Sequence, residues 1–258
     1  MAFSKLHLEV RGPAAVITLD NPPVNALHPS VSDEILQALE LIAGERAVRG
    51  VVLTGRGRHF VAGGDITYFT SLDAREAEAY ALGIQQMQSA LQALDRPVIA
   101  AINGSALGGG CELIMACDIR IANDTAMFGQ PEVRLGLMPG AGGTQHLPRL
   151  IPVGRAKRML FTGAPIGATA AQAMGLVDEV VPGGNCLSAA LALIDEIAAC
   201  APLAVAQIKR AVNLGLAMSA ADGHRLEAAL FGDLFRTEDL REGVNAFLTK
   251  RRPDFKGR

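Results

Sequence analysis

Three short glycine-rich windows constrain the fold of this chain more than any other feature of its sequence. They span residues 55–64, 104–110 and 136–143 and hold twelve of the 28 glycines among 258 residues. The first two follow apolar runs at residues 50–54 and 98–102 that are typical of buried strands. Glycine concentrates where the backbone takes a positive φ or approaches another group closely. The pattern therefore predicts a site built largely from backbone.

Strand and helix patterns alternate up to about residue 185, and almost only helical patterns follow. The sequence predicts strands at residues 6–10, 15–19, 50–54, 98–102, 119–122 and 177–181. It predicts helices at residues 30–43, with Ser30 as the N-cap, and at 74–94, 107–116, 189–199, 203–216, 220–235 and 239–250. We therefore expect an α/β body, residues 1–186, followed by an α-helical region, residues 187–258.

Charge and composition exclude several classes of protein. Lys and Arg number 24 and Asp and Glu 26, Trp is absent and aromatic residues make up 4%. These values argue against nucleic-acid binding, which needs a basic face or a stacking platform. The four cysteines form no C-x-x-C pair and the histidines have no ligand spacing, so we expect no metal site and a reducing compartment.

No signal-peptide core and no apolar run of about 18 residues occurs in the sequence. The prediction is accordingly a cytoplasmic protein with no membrane contact. The last ten residues carry five basic side chains against one aspartate. That composition fits either a solvated tail or an anion-binding one.

Two carboxylates stand beside the glycines. Glu112 follows Gly108-Gly109-Gly110-Cys111 in the first turn of a predicted helix, where the helix dipole favours its ionised form. Free N–H groups at that helix end could hold an oxyanion. The spacing alone favours the simpler interpretation, in which Glu112 is only a dipole partner and the glycines only permit tight packing. Glu132 follows Gln130-Pro131 and alone fits a solvent-facing loop, and Asp65 in the first window fits a helix cap.

Longer motifs connect the glycine-rich windows and the two glutamates. Through these motifs the chain resembles the crotonase, or enoyl-CoA hydratase/isomerase, superfamily. The resemblance covers nearly the whole chain and is closest to monofunctional enoyl-CoA hydratases. It rests on motifs at residues 21–27, 60–66, 97–104, 108–113, 116–122, 128–133, 136–145, 160–163 and 246–251. It implies a spiral of repeated ββα units capped by C-terminal helices that assemble trimers or dimers of trimers.

The resemblance also implies the residues of the site. Glu112 and Glu132 correspond to the two acid/base glutamates of hydratases, and the N–H groups of Ala62 and Gly109 to the oxyanion hole. Gly140 corresponds to a group that positions the attacking water. The substrate-binding positions are Ala62, Gly63, Gly64, Asp65, Ile66 and Gly109, together with Phe247 and Lys250, which reach the CoA of a neighbouring subunit.

The expected activity is reversible hydration of trans-2-enoyl-CoA to 3-hydroxyacyl-CoA. No cofactor is expected, because coenzyme A is part of the substrate. An enoyl-CoA Δ-isomerase, which needs a single acid/base such as Glu132, remains an alternative, as does a non-catalytic CoA-binding protein on the same scaffold. The sequence leaves the acyl group open.

Overall fold

A computed structural model describes residues 3–258, and its strands form two sheets. The larger sheet has the order β1 (Leu6–Arg11), β2 (Ala14–Leu19), β3 (Gly50–Gly55), β5 (Val98–Ile102), β7 (Ile119–Asn123) and β10 (Glu179–Val181). The smaller sheet has the order β4 (His59–Ala62), β6 (Ser105–Leu107), β8 (Met127–Gly129) and β9 (Ile166–Gly167). The hairpin β1–β2 and the pair β8–β9 are antiparallel, and all other pairs are parallel.

The chain alternates between the sheets and then forms a helix. The helices are α1 (Pro29–Gly44), α2 (Ile66–Phe69), α3 (Ala74–Ala93), α4 (Gly109–Met115), α5 (Gly143–Leu150), α6 (Val153–Thr162), α7 (Ala168–Met174), α8 (Cys186–Ala198), α9 (Pro202–Gly215), α10 (Ala220–Leu234) and α11 (Glu238–Leu248). A short 3-10 helix spans Pro131–Leu135. In three successive turns a strand of the larger sheet leads to a strand of the smaller sheet and then to helical structure. This arrangement is the repeated ββα spiral that the resemblance implies.

The corners between the sheets require glycine. At the β5–β6 corner, a Cβ atom on Gly104 would lie 2.0 Å from the carbonyl oxygen of Arg58. No side chain fits at that distance, so the close approach of the two backbones depends on glycine. The second glycine-rich window therefore begins where the chain passes from one sheet to the other.

The structure confirms the predicted strands of the larger sheet and corrects two other predictions. Helix α1 begins at Pro29, and the side chain of His28, not Ser30, caps it by accepting from the Ser30 N–H. The helix predicted at residues 107–116 begins at Gly109, because Leu107 belongs to β6. The smaller sheet was not predicted from the sequence, because its strands have only two to four residues and show no periodicity.

The two faces of the larger sheet bury separate cores. On one face, Phe60 and Phe128 of the smaller sheet are fully buried within the main hydrophobic cluster. On the other, Ala190 and Ile194 of α8 pack against β2, β3, β5 and β7. Since α8 begins at Cys186, the predicted boundary between residues 186 and 187 lies in the first turn of a helix that covers the sheet. The division into two regions stays a prediction.

Helix α9 contacts the α/β body through a buried lysine. Lys209 of α9 pairs with Asp118 at 2.7 Å and donates to the carbonyls of Leu91 and Arg96 at 3.0 and 2.9 Å. Within residues 3–258 no single helix is long and apolar enough to cross a membrane. Helices α8 and α9 satisfy the length and composition only as a pair, bent by 112° at the break between them.

Candidate active site

The start of α4 places Glu112 against the smaller sheet. Gly108, the N-cap, has a φ of +51° and donates its N–H to the carbonyl of Gly129 at 2.9 Å. A Cβ atom on Gly108 would lie 2.6 Å from Oε1 of Glu132. Both the left-handed conformation and this close contact favour glycine here. Glu112 follows one turn later on a helix whose residues are all buried.

Glu112 is 2% exposed and is held by the third glycine-rich window. Its Oε1 accepts from the N–H of Ala141 at 2.9 Å and from the N–H of Gly143 at 2.7 Å. Burial raises the pKa of Glu112 to about 7, and the charge of Glu132 acts in the same direction. The two backbone N–H groups act in the opposite direction, because they stabilise the ionised carboxylate.

Glu132 lies in the first turn of the 3-10 helix and is partly buried, although the sequence alone favoured a solvent-facing loop. Burial raises the pKa of this carboxyl as well. The fully buried side chain of Gln130 lies beside it. With its amide nitrogen facing Glu132, Gln130 donates to both carboxylate oxygens at 3.2 Å. Two carboxylic acids with raised pKa values therefore occupy one region.

Strand pairing explains how residues 20 positions apart come together. Strand β6 leads into α4, and β8 leads through Gln130 into the 3-10 helix. These strands are parallel neighbours, with Leu107 opposite Gly129. Their carboxyl ends meet at one edge of the smaller sheet, so the carboxylates that follow them face one cavity of about 450 Å³. Glu112, Glu132 and Gly140 all line this cavity.

The backbone donors of the first glycine-rich window differ from the prediction. The N–H of Ala62 donates to the carbonyl of Val24 at 3.0 Å, so it is not available to a ligand. Leu27 then pairs with both sides of Gly64: its N–H donates to Gly63 at 3.0 Å, and its carbonyl accepts from Asp65 at 3.2 Å.

Among the described residues, the N–H groups of Gly64 and Gly109 donate to no protein acceptor, and both glycines line the cavity. The prediction of an N–H donor at Gly109 is therefore compatible with the hydrogen bonds of the structure. In the first glycine-rich window the unpaired N–H on the cavity belongs to Gly64, whereas that of Ala62 is paired.

The other predicted substrate-binding residues divide into two groups. Gly63 and Ile66 line the cavity, whereas the carboxylate of Asp65 caps α2 by accepting from Tyr68 N–H at 3.1 Å. Phe247 and Lys250 lie on and after α11, outside this cavity, and the Phe247 side chain is 83% exposed. Their predicted contact with the CoA of a neighbouring subunit stays a prediction.

The wall of the cavity was missed in the sequence analysis. Ala77 and Ala81 of α3 line it, and Tyr80 is fixed by a hydrogen bond from its hydroxyl to the Leu27 carbonyl at 2.8 Å. The alanine spacing on α3 was the available signal, but a helix of small residues points to no ligand by itself. Asp73, Glu112 and Glu132 are the charged residues among those that line the cavity, and all three are acidic.

Most of the basic side chains in the last ten residues form ion pairs within the chain. Three of the five basic side chains pair with acids, in the pairs Arg251–Glu242, Lys256–Asp254 and Arg258–Glu238. For residues 3–258 the structure contains no cluster of His, Cys, Asp and Glu that could hold a metal ion.

Comparison with known proteins places this geometry in a family. The family model described as "Enoyl-CoA hydratase/isomerase" matches residues 9–258. The chain belongs to that family. It is 40% identical over its full length to the full-length short-chain-enoyl-CoA hydratase of Clostridium acetobutylicum. It is 42% identical to the crotonyl-CoA hydratase of Syntrophomonas wolfei, over 99% of each chain.

The fold of this family member agrees with that of a solved relative. The crystal structure of an enoyl-CoA hydratase from Bacillus anthracis superimposes with a TM-score of 0.95 at 37% identity, covering 99% of this chain and 100% of that one. The crotonase-type α/β fold inferred from the sequence motifs is thereby confirmed.

Proposed function

We propose that this protein is an enoyl-CoA hydratase, which adds water reversibly to trans-2-enoyl-CoA and forms 3-hydroxyacyl-CoA. One observation carries the proposal: two carboxyls with raised pKa values, Glu112 and Glu132, face the cavity that is also lined by Gly64 and Gly109. An isomerase needs only one acid/base group. Two carboxyls match a reaction that takes a proton from water and gives a proton to carbon.

The geometry supports a mechanism with separate roles for these groups. The N–H groups of Gly64 and Gly109 hold the thioester oxygen as it gains negative charge. Glu112 takes a proton from a water molecule oriented by the Gly140 N–H, while the water oxygen bonds to C3. The C2–C3 π electrons move toward the thioester, and C2 receives a proton from Glu132. The hydroxyl group is added to C3 and the proton to C2 from the same face of the double bond, which gives syn addition.

The raised pKa values allow these carboxyls to exchange protons near neutral pH. Burial disfavours the ionised form of both carboxyls, and the charge of Glu132 adds to this effect on Glu112, so the pair retains a proton near neutral pH. The N–H groups of Ala141 and Gly143 stabilise the ionised form of Glu112. Glu132 accepts instead from the side-chain amide of Gln130 at 3.2 Å. Hydratases of this family need no cofactor beyond the CoA of the substrate.

The cavity favours an apolar, uncharged acyl group. Its lining contains no lysine or arginine among the described residues, and its charged side chains are acidic. A terminal carboxylate on the acyl chain would meet repulsion without a compensating cation. Alanine and leucine side chains of α3 and the 135–138 segment offer apolar contact instead.

Assembly into a homotrimer or a dimer of trimers belongs to the proposal. The C-terminal helices expose large apolar side chains, including Ile208, Leu216, Phe231, Phe235 and Phe247. Burial of these side chains between copies would remove a large apolar area from water. Light scattering coupled to size exclusion tests the mass directly: a monomer would contradict the assembly.

Loss of the conjugated enoyl-thioester absorbance on mixing with crotonyl-CoA tests the proposed activity. We expect Glu112→Gln and Glu132→Gln each to abolish most hydration, because glutamine keeps the shape of the side chain and cannot exchange the proton. Glu78→Gln on the exposed face of α3 is the matched control. A wild-type protein that leaves the absorbance of every enoyl-CoA unchanged contradicts the proposal, and a fully active Glu112→Gln variant supports the isomerase instead.

A further inference from the structure

A side chain outside the cavity supports the loop that holds Glu112. Gln85 lies on α3, and its Nε2 donates to the carbonyl of Gly140 at 2.8 Å. That carbonyl belongs to the same peptide group as the N–H of Ala141, which donates to Glu112 Oε1 at 2.9 Å. One peptide group therefore connects the Gln85 amide to the Glu112 carboxylate.

The loop needs such support because of its composition. Residues 140–143 read Gly-Ala-Gly-Gly, and Gly142 has a φ of +102°. Glycine backbones lose more conformational freedom on ordering than other residues, so orientation of this loop depends on contacts from outside. In a planar trans peptide the C=O and N–H point in opposite directions. A donor that holds the Gly140 carbonyl consequently aims the Ala141 N–H at Glu112.

The hydrogen bond also has an electronic effect. Donation to a peptide carbonyl polarises the peptide group and strengthens its N–H as a donor, because hydrogen bonds in a chain reinforce one another. The same contact restrains Gly140, whose own N–H is the group proposed to orient the attacking water. Gln85 itself does not line the cavity.

We propose that Gln85 is a positioning residue, which acts through the Gly140–Ala141 peptide to orient Glu112 for proton transfer. The effect on turnover rests on the proposed hydratase function, whereas the effect on the Glu112 carboxyl does not. Gln85 touches neither the carboxylate nor the cavity, so its influence is transmitted by the loop alone.

Other groups around Glu112 remain unchanged in the test. The titratable side chains that face it are Glu132 from the 3-10 helix, Tyr80 from α3 and its neighbour Cys111. His146 of α5 lies behind the loop, close to Gly142. Substitution of Gln85 alters none of these side chains. A change in the pKa of Glu112 therefore reports on the contact between Gln85 and the Gly140–Ala141 peptide.

The test compares Gln85→Met with Gln86→Met. Methionine keeps length and helix propensity but cannot donate. Gln86 is exposed like Gln85, but its side chain makes no hydrogen bond within residues 3–258. We expect Gln85→Met to lower kcat about fivefold, the effect of one typical hydrogen bond, with little change in KM. We expect the pKa of Glu112, measured by carbon-13 NMR of labelled glutamate carboxyls, to rise. Gln86→Met should match wild type in both.

A donor-retaining variant separates positioning from packing. Gln85→Lys keeps an N–H donor within reach of the Gly140 carbonyl, and we expect it to retain kcat within about twofold, since one retained hydrogen bond restores most of the effect. Equal kcat and equal Glu112 pKa in Gln85→Met and wild type would overturn the inference. So would a Gln85→Lys variant as slow as Gln85→Met. A wild-type protein inactive on enoyl-CoA would remove the proposed function, and the NMR comparison would still decide the role of Gln85.

Discussion

Glu112 combines burial with two backbone hydrogen bonds, and these effects act on its pKa in opposite directions. Burial dominates, so the pKa in the folded protein is about 7 against an ordinary value of 4.5. Between pH 4.5 and about 7, Glu112 is therefore largely protonated in the folded state and largely ionised in the unfolded chain. A raised carboxyl pKa makes folding stability fall as pH rises through that window.

The fall of folding stability with rising pH leads to a prediction for the Glu112→Gln variant. At pH 5 wild type and variant should have similar thermal stability, because Glu112 is largely protonated in the folded state. At pH 8 the variant should be the more stable, because wild type must bury an ionised carboxylate. Thermal unfolding at the two pH values measures the difference, with Glu78→Gln as the exposed control. A variant less stable than wild type at pH 8 would contradict the assignment of burial as the dominant effect.

Gly109 permits a direct test of one backbone donor. It occupies the first position of α4, where proline is tolerated because the N–H has no partner within the helix. Gly109→Pro removes that N–H, and we expect kcat to fall by about 10²–10³ with a smaller change in KM. Steady-state kinetics with crotonyl-CoA measures both.

Gly109→Ala is the control for this variant. A Cβ atom at this position would lie 3.1 Å from Cδ1 of Leu27, so both substitutions require a small shift of that side chain. Only proline removes the N–H. Equal kcat values for the alanine and proline variants would exclude Gly109 as the donor to the thioester oxygen.

One face of helix α3 contributes to the candidate active site. Ala77, Tyr80 and Ala81 line the cavity, and Gln85 supports the loop around Glu112 one turn later. The helix is exposed on its other side, where Glu78 and Ala79 face solvent. Because its small residues leave space beside the carboxylates, α3 is the element expected to set the length of the acyl group.

Ala77→Leu tests this role of α3. The added carbons narrow the cavity, and we expect kcat/KM for a ten-carbon enoyl-CoA to fall about tenfold or more, since a single methylene in a pocket has effects of that order. Crotonyl-CoA should be affected much less. Ala79→Leu on the exposed side is the control. Equal losses for both substrate lengths would mean that the acyl chain does not follow α3.

A buried ion pair contributes to the attachment of helix α9. The Lys209 side chain of α9 is 7% exposed and contacts Asp118, next to β7. It also donates to the carbonyl of Leu91 in the last turn of α3 and to that of Arg96 just after the helix. Asp118 is also held by the Val98 N–H at 2.7 Å. Loss of the lysine would leave a partly buried carboxylate and two carbonyls without their donor.

We therefore expect Lys209→Met to reduce the free energy of unfolding by about 3 kcal/mol, a typical cost of removing one partner of a buried pair. Urea denaturation measures this change, and Lys157→Met on the exposed surface of α6 is the control. If both variants unfold at the same urea concentration, the attachment of α9 does not rest on this pair.

Much of the fold could be predicted because the sequence signals for its longer elements are local. Short, largely apolar runs predicted β3, β5 and β7, and helical periodicity predicted α3 and the C-terminal helices. The smaller sheet could not be predicted. Its strands are too short to show a period, and they are stabilised by neighbours distant in the sequence.

By itself the sequence determined which residues could act: the motifs around Glu112, Glu132 and the glycine-rich windows identified the family. Only the tertiary structure decided which backbone groups are available and where the cavity lies. Ala62 and Gly64 are two residues apart, and nothing local distinguishes their N–H groups. The carbonyl of Val24 takes the first and leaves the second free, because hydrogen bonding between distant segments follows from how the chain pairs in space.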